Sequence, residues 1–248
     1  MVSPLVLKLE QFVRFSADDV AALQDLERSS TKVCGPREDI IKEGDRPTVV
    51  NLILEGWACR YKMLEDGRRQ ITALFVPGDL CDIHVFILRE MDHSIGALIK
   101  VRVAQIPREE LERLTAERPR VTQALWWEGL VSASIQREWI LNLGQRNAIE
   151  RVSHLFCEIY YRLRGVGQAQ DGQFEMPFSQ TDLAETTGMT PVHLNRTVQD
   201  LRARGLIVWK GKRFHIVDLP GLINIAMFNE NYLHFRHEGA VLDARRNT

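Results

Sequence analysis

Asn195, Arg196 and Gln199 have side chains suited to reading base edges. Arginine can donate two parallel hydrogen bonds to guanine O6 and N7, and asparagine or glutamine can pair in the same two-pronged way with adenine. In Gly188–Gly205, GMTPVHLNRTVQDLRARG, they are interleaved with Leu194, Val198 and Leu201. On a helix, that spacing gathers the three aliphatic residues on one face. The other face is left to Pro191, Val192, Asn195, Arg196 and Gln199. Thr190 suits an N-cap, Pro191 the first helical position and Gly205 a C-terminal stop. The predicted element is therefore a short helix with an apolar anchor and an outer face of groove-reading groups.

The flanking residues predict how that helix is held. Ser179 is a good N-cap with Asp182 three residues on, and QTDLAET follows as a first helix. TGM forms the turn, with Gly188 at the position that needs unusual backbone angles. After Gly205, LIVW, KGKR and FHIV read as strand, turn and strand. Two helices, a glycine turn and a basic hairpin make a winged helix-turn-helix, whose second helix fits the DNA major groove. Lys210, Lys212 and Arg213 on the wing suit backbone phosphates, as does the helix N-terminus near Thr190 and His193. Ser179 and Gln180, at the start of the first helix, complete the candidate contact set.

Charge agrees with this. From Thr190 to His215 there are six basic residues and one acid, a segment of +5 in a chain of −1. A basic island on an acidic background points to a polyanion, here double-stranded DNA. The alternative is a basic solvated face on a winged helix that docks a protein.

Other reactive residues are scattered. Cys81, Asp82, His84, Asp92 and His93 lie close in sequence and could line one end of a sheet, where metal or haem ligation is conceivable. Strand alternation separates Cys81 from Asp82 and His84, so ordinary surface and turn residues are expected, with no metal and no cofactor. The four cysteines, Cys34, Cys59, Cys81 and Cys157, show no CxxC pairing. They read as reduced, packed thiols of a cytoplasmic protein rather than redox sensors or cluster ligands. Trp126 and Trp127 suit core packing better than stacking on a flat ligand. His154 reads as a packed or capping residue, and the glycines of Gly165–Gly167 as a loop. No GxSxG, Walker loop, HExxH or GxGxxG occurs, so no enzyme is expected. No apolar run approaches the ~18 residues of a membrane span, and MVSPLVLKLEQFVRF lacks the marks of a signal peptide.

The elements upstream change character once. In the first half, Gly44, Gly56, Gly67 and Gly78 punctuate runs rich in β-branched and aromatic residues: TVVNLIL, WACRYKML and RQITALFV. Further strands are expected in CDIHVFI, IGALIKVR and VAQIP. Short strands at this spacing predict an antiparallel roll or barrel. After Pro107 the pattern turns helical with PREELERLTAERP. A second helix, opened by Pro119, is expected over 118–143. Ala124, Trp127, Val131, Ser134, Glu138 and Leu141 fall at a/d spacing there, whereas Trp126, Leu130, Ile135 and Ile140 fall outside that stripe. A helix apolar on two sides needs two partners, the chain's own roll and a second copy of the chain. The alternative is a helix wholly buried within one chain. A third helix, AIERVSHLFCEIYYRLR, follows a boundary near Leu143–Asn147.

At residues 144–217 the chain resembles a known family. FSQTDLAETTGMTPVHLNRTVQDLRARGLIVWKGKRFHI is similar to the DNA-binding domain of the CRP/FNR bacterial transcription regulators. LGQRNAIERVSHLF resembles their link from dimer helix to DNA-binding domain, and the glycine-punctuated roll resembles their cyclic-nucleotide-binding-like domain. LPGLINIAMFNENYLHF is similar to a C-terminal helix of some members. The resemblance implies an α+β chain with four parts: a β-roll sensor (1–117), a dimerisation helix and hinge (118–145), a winged helix-turn-helix (146–220) and a helical extension (221–248). It implies a homodimer on a pseudo-palindromic site, with Ala124, Trp127, Val131, Ser134, Glu138 and Leu141 along the dimer helix. Arg196 matches the family's guanine-reading arginine. Val192 stands where members often carry a glutamate, which puts the familiar half-site in doubt. RNA polymerase is a further candidate partner. The effector pocket would comprise Asp82, Ile83, His84, His93 and Ser94. Cyclic-AMP-binding members carry Gly-Glu and Arg-Ser pairs there. This chain reads Asp82-Ile83 and His93-Ser94, which lacks a cationic clamp for a cyclic phosphate. A cyclic-nucleotide-responsive regulator is thus the alternative, and the effector is expected to be something else.

Overall fold

A computed structural model of the chain describes residues 3–83 and 87–244. It forms two compact units. One comprises Met1–Lys62, Ala73–Ser132 and His234–Thr248, the other Met63–Thr72 and Ala133–Leu233.

The first unit opens with two helices, α1 (Pro4–Leu9) and α2 (Ala17–Glu27). Ser3 caps α1, and Ser16 with Asp19 forms a reciprocal capping box on α2. The strands are β1 (Thr31–Cys34), β2 (Asp39–Ile41), β3 (Val49–Glu55), β4 (Ala58–Met63), β5 (Arg69–Phe75), β6 (Leu80–Cys81), β7 (Ser94–Ala97) and β8 (Val101–Pro107). They make two antiparallel sheets, ordered β1-β8-β3-β6 and β2-β7-β4-β5. Leu52, Ile53, Ile95, Val103 and Ile106 form the core with Leu5 and Leu9 of α1 and Leu23 and Leu26 of α2. Gly78 adopts φ +94, and a Cβ there would lie 2.7 Å from the Pro4 carbonyl oxygen, so only glycine lets α1 approach the turn. The Lys8 ammonium donates to both Asp79 and Glu128 and pins α1 to that turn.

β3, β4 and β5 fall on the three predicted runs. VAQIP lies within β8, and the other two strand expectations shift. IGALIKVR is not one strand but the end of β7, a turn and the start of β8. Of CDIHVFI, Cys81 ends β6, and Asp82 takes φ +55 and turns the chain out of the sheet; residues 84–86 lie outside the described residues.

α3 (Arg108–Glu117) and α4 (Pro119–Gly144) follow, and α4 contributes to both units. The expected dimer stripe is reversed. Ala124, Trp127, Val131 and Ser134 are buried within the chain, and Glu138 is half-buried. Trp127 stacks on Phe12 at 5.6 Å, Ser134 donates to the Tyr232 carbonyl, and Glu138 pairs with Arg146 at 2.8 Å. Of the six residues only Leu141 is exposed. The solvent-facing stripe is instead Trp126, Leu130, Arg137 and Ile140, of which Trp126, Leu130 and Ile140 are 58%, 67% and 72% exposed.

The second unit continues with α5 (Ala148–Gly165), β9 (Gln173–Glu175), α6 (Gln180–Thr187), α7 (Pro191–Ala203), β10 (Ile207–Lys210), β11 (Arg213–Ile216) and α8 (Leu219–Ala226). Asn147 and Glu150 form the capping box of α5. The strands make an antiparallel sheet in the order β10-β11-β9, with Phe214 opposite Phe174. Phe156 of α5 meets Phe214 at 4.6 Å and Trp209 edge-on at 6.3 Å. β9 lies just beyond a stretch that reads as a flexible loop. It forms because Gly172 lets the chain fold against β11, where a Cβ would lie 2.5 Å from the Ile216 carbonyl oxygen.

Candidate nucleic-acid interface

α6 and α7 are built from local signals. Ser179 accepts from the Asp182 amide at 3.1 Å, and the Asp182 carboxylate accepts from the Ser179 amide at 3.0 Å. Gly188 closes α6 at φ +64. Thr190 then accepts from the His193 amide at 3.2 Å, with Pro191 in the first turn of α7. The last carbonyls of α6 are held from outside the motif. Gln70, at the tip of the β4–β5 hairpin, donates to the Glu185 carbonyl at 2.6 Å, and Arg69 pairs with the Glu185 carboxylate at 3.1 Å. Arg151 donates to the Thr187 carbonyl at 2.8 Å.

α7 is anchored by Leu194, Val198 and Leu201, all buried, with Thr197 beside them. Pro191, Val192, His193, Arg196 and Gln199 are exposed. Asn195 is half-buried and donates to the Gln180 Oε1 at 3.1 Å, which joins the starts of the two helices through a polar pair. Gln180, Asn195, Gln199 and Arg202 line a cleft closed on its far side by Trp209 and Gly211 of the wing. Arg196 makes no ion pair with any described residue. Lys210, Lys212 and Arg213 at the wing tip are likewise exposed and unpaired among the described residues. Two of the six bases in the island are engaged internally. Arg204 donates twice to Asp200, at 2.9 Å each, and Arg202 donates to the Trp209 carbonyl. Among the described residues, the positive charge without a carboxylate partner therefore lies on Arg196, Arg202 and the wing. Ser179 and Thr190 spend a hydroxyl lone pair on capping, so any further contact from them shares the oxygen with the helix.

The second candidate site is partly assembled. His93 Nε2 lies 2.8 Å from Asp82 Oδ2, and its Nδ1 lies 2.7 Å from Asp92 Oδ1. Arg60, which the sequence did not single out, donates to Asp82 and lies over the Phe75 ring. Burial pushes the Asp82 carboxyl up, but the His93 ring and the Arg60 guanidinium outweigh it and hold the carboxyl below its ordinary range. Burial lowers His93, but Asp82 and then Asp92 prevail and raise it. Ile83 is buried, and the buried Ser94 hydroxyl accepts from the Glu43 amide at 2.9 Å. His84 lies outside the described residues. Cys81 is buried, and burial raises its thiol well above the ordinary range, with Asp82 and Asp79 adding to it. Among the described residues no three potential ligands gather as a metal site. His154 is fully buried, stacked on Tyr232 at 5.6 Å, with its Nδ1 2.9 Å from the Asn142 amide. Among the described residues no helix is long and apolar enough to cross a membrane.

Two antiparallel sheets followed by a long helix and a helix-turn-helix with a basic wing define a sensor-type DNA-binding regulator. Comparison with known proteins agrees. Residues 31–118 match the cyclic nucleotide-binding domain, and residues 150–225 match the Crp-like helix-turn-helix domain. The nitrogen fixation regulation protein FixK of Bradyrhizobium diazoefficiens is 30% identical over 193 residues, 77% of this chain and 80% of that protein. The transcriptional activator protein FnrL of Cereibacter sphaeroides is 26% identical over 211 residues, 82% of each. The solved structure of FixK2 from Bradyrhizobium japonicum superposes with a TM-score of 0.71 at 25% identity, covering 79% of this chain and 96% of that one. The chain belongs to the CRP/FNR family of transcription regulators.

Proposed function

We propose that the chain acts as a homodimer that binds a pseudo-palindromic DNA site, with one α7 in each of two successive major grooves. The observation that carries this reading is the division of α7, with Leu194, Val198 and Leu201 buried and Arg196 exposed and unpaired among the described residues. Arg196 reads guanine, Gln199 and the Asn195–Gln180 pair read neighbouring bases, and Val192 packs on a thymine methyl. Lys210, Lys212 and Arg213 grip phosphates, as does the N-terminus of α7. The two copies join along Trp126, Leu130, Arg137 and Ile140, the outward stripe of α4. RNA polymerase is the partner to which a regulator of this kind delivers its effect. The effector is not a cyclic nucleotide. At the positions that would hold ribose and phosphate, Asp82 and His93 bind each other, and a carboxylate there repels a cyclic phosphate.

The test is selection from random duplex DNA. Two-fold sites with half-sites about one helical turn, ~10 bp, apart should be enriched by the wild type and lost in Arg196→Ala. A chain that shifts no duplex even at low salt, yet captures a protein independently of salt, would instead have a winged helix built for protein docking.

A further inference from the structure

The joint between α4 and α5 spans only residues 145–147, and two arginines hold it through backbone carbonyls. The last carbonyls of a helix have no partner within it. Arg151 supplies them. Its Nε donates to the Asn142 carbonyl at 2.9 Å, and its Nη2 donates to those of Leu143 at 3.2 Å and Arg146 at 2.9 Å. Its Nη1 reaches across to the Thr187 carbonyl at the end of α6. One planar guanidinium thus fastens the end of α4 to the turn that precedes the recognition helix.

Arg146 faces the other way and is buried. Its Nη1 donates to Glu138 Oε1 at 2.8 Å and to Asn142 Oδ1 at 3.0 Å, both on α4. Its Nε donates to the Ala226 carbonyl at 3.1 Å and its Nη2 to that of Met227 at 3.4 Å, where α8 ends with Met227 at φ +47. Beyond α8, the 3-10 turn Glu230–Leu233 is fixed at both sides. Ser134 of α4 donates to the Tyr232 carbonyl, and the Tyr232 hydroxyl donates to Glu158 of α5 at 3.0 Å. Trp139 of α4 donates to the same carboxylate oxygen at 3.1 Å. The C-terminal extension is therefore bolted to α4 and α5 together.

Apolar packing sets how near two helices lie and confines their crossing angle only to within about 15–20°. A guanidinium fork on carbonyl oxygens confines it further, because hydrogen bonds weaken steeply once the donor angle falls below ~120°. We infer that Arg146 and Arg151, with the α8 extension as brace, are positioning residues that fix the angle of α7 against Arg137 and Ile140 on the outward stripe of α4. In a dimer joined along that stripe, this angle decides how far apart the two recognition helices stand. The arginines therefore select the spacer length between half-sites without touching DNA. The inference rests on the proposed dimeric reading.

The experiment uses the full chain and a duplex library with constant half-sites and a spacer lengthened one base pair at a time. The wild type should enrich one spacer. Arg146→Lys and Arg151→Lys keep a charge but lose the fork. In each, the preference for that spacer over its neighbours should fall by about tenfold, the scale of one lost charge-assisted hydrogen bond. Half-site sequence preference and affinity for an isolated half-site should stay unchanged, a split that general destabilisation would not produce. Tyr232→Phe removes only a hydroxyl of the brace and should broaden spacer choice in the same direction. It carries the test should the lysine variants fail to fold. Folded variants that keep the wild-type spacer preference undiminished would overturn the inference. A wild type that enriches no two-fold site would overturn the dimeric reading itself, and this inference with it.

Discussion

Lys212→Gln gives the most quantitative test of the interface. The wing offers three exposed bases, Lys210, Lys212 and Arg213, none in an ion pair with a described residue. In a dimer the substitution removes two charges from the DNA surface. Each phosphate neutralised contributes about 0.9 to the slope of log K against log salt, so the slope should flatten by about 1.8. Between 50 and 200 mM salt, the wild-type advantage should then shrink by roughly tenfold. The loss should be uniform across DNA sequences, because a phosphate contact carries no base information. The matched control is Asp200→Asn with Arg204→Gln. Those side chains neutralise each other through two bonds of 2.9 Å, so removing both leaves the charge offered to DNA unchanged and the slope intact. The assay is fluorescence anisotropy on one specific and one scrambled duplex over that salt range. A wild-type slope in Lys212→Gln would refute the phosphate role of the wing. An equal flattening in the control would show that Arg204 itself reaches a phosphate, contrary to the pairing seen here.

Two further outcomes follow from other parts of the chain. In the Arg60–Asp82–His93 cluster the carboxyl is depressed and the imidazole raised. The Asp82 contribution to stability is present above its unfolded value of about 3.8 and lost as pH falls through the folded value. That of His93 is full below 6.5 and lost as pH rises through its folded value. Melting temperature should therefore peak between those limits, and Asp82→Asn should flatten both flanks; an unchanged pH profile in that variant would contradict the cluster's role. The two faces of α4 should also separate by experiment. Leu130→Glu with Ile140→Glu should sediment as a monomer, whereas Trp127→Ala, which empties a site stacked on Phe12, should cost about 3–5 kcal/mol of stability. A stable dimer in the double glutamate variant would place the seam elsewhere.

The helix-turn-helix was legible because its signals are local. Ser179, Asp182, Gly188, Thr190 and Pro191 each act within four residues of the group they satisfy, and all are where the sequence puts them. The roll was legible in β3, β4 and β5, whose runs are long enough to read. α1 escaped notice because six residues barely complete two turns, although the Ser16–Asp19 capping box of α2 was a signal that could have been found. The face of α4 was misread for a physical reason. Both sides are apolar, and heptad spacing does not say which side belongs to the chain's own core. Trp127 is buried with Phe12, far away in sequence, stacked on it. Arg60 was missed for the same reason, since nothing local links it to Asp82. Charge counting found the net charge of the island but not its layout, because a sum along the sequence cannot see that Arg204 is the base that faces Asp200 or that Arg202 is tied to the wing backbone.

The residues that follow Leu233 close the first unit rather than trail from the second. Ala244 donates its amide to the Arg14 carbonyl at 2.9 Å, Asp243 accepts from the Arg14 amide at 2.6 Å, and Arg120 donates to the Leu242 carbonyl at 2.6 Å. Gly239 sits so tightly on Phe12 that a Cβ would lie 2.7 Å from its ring. The unit that is translated first thus keeps an unfilled seat until the residues beyond the DNA-binding helices have been made. Its maturation waits on those residues, and a message cut short after the DNA-binding helices would release a protein able to reach DNA with its sensor still unfinished.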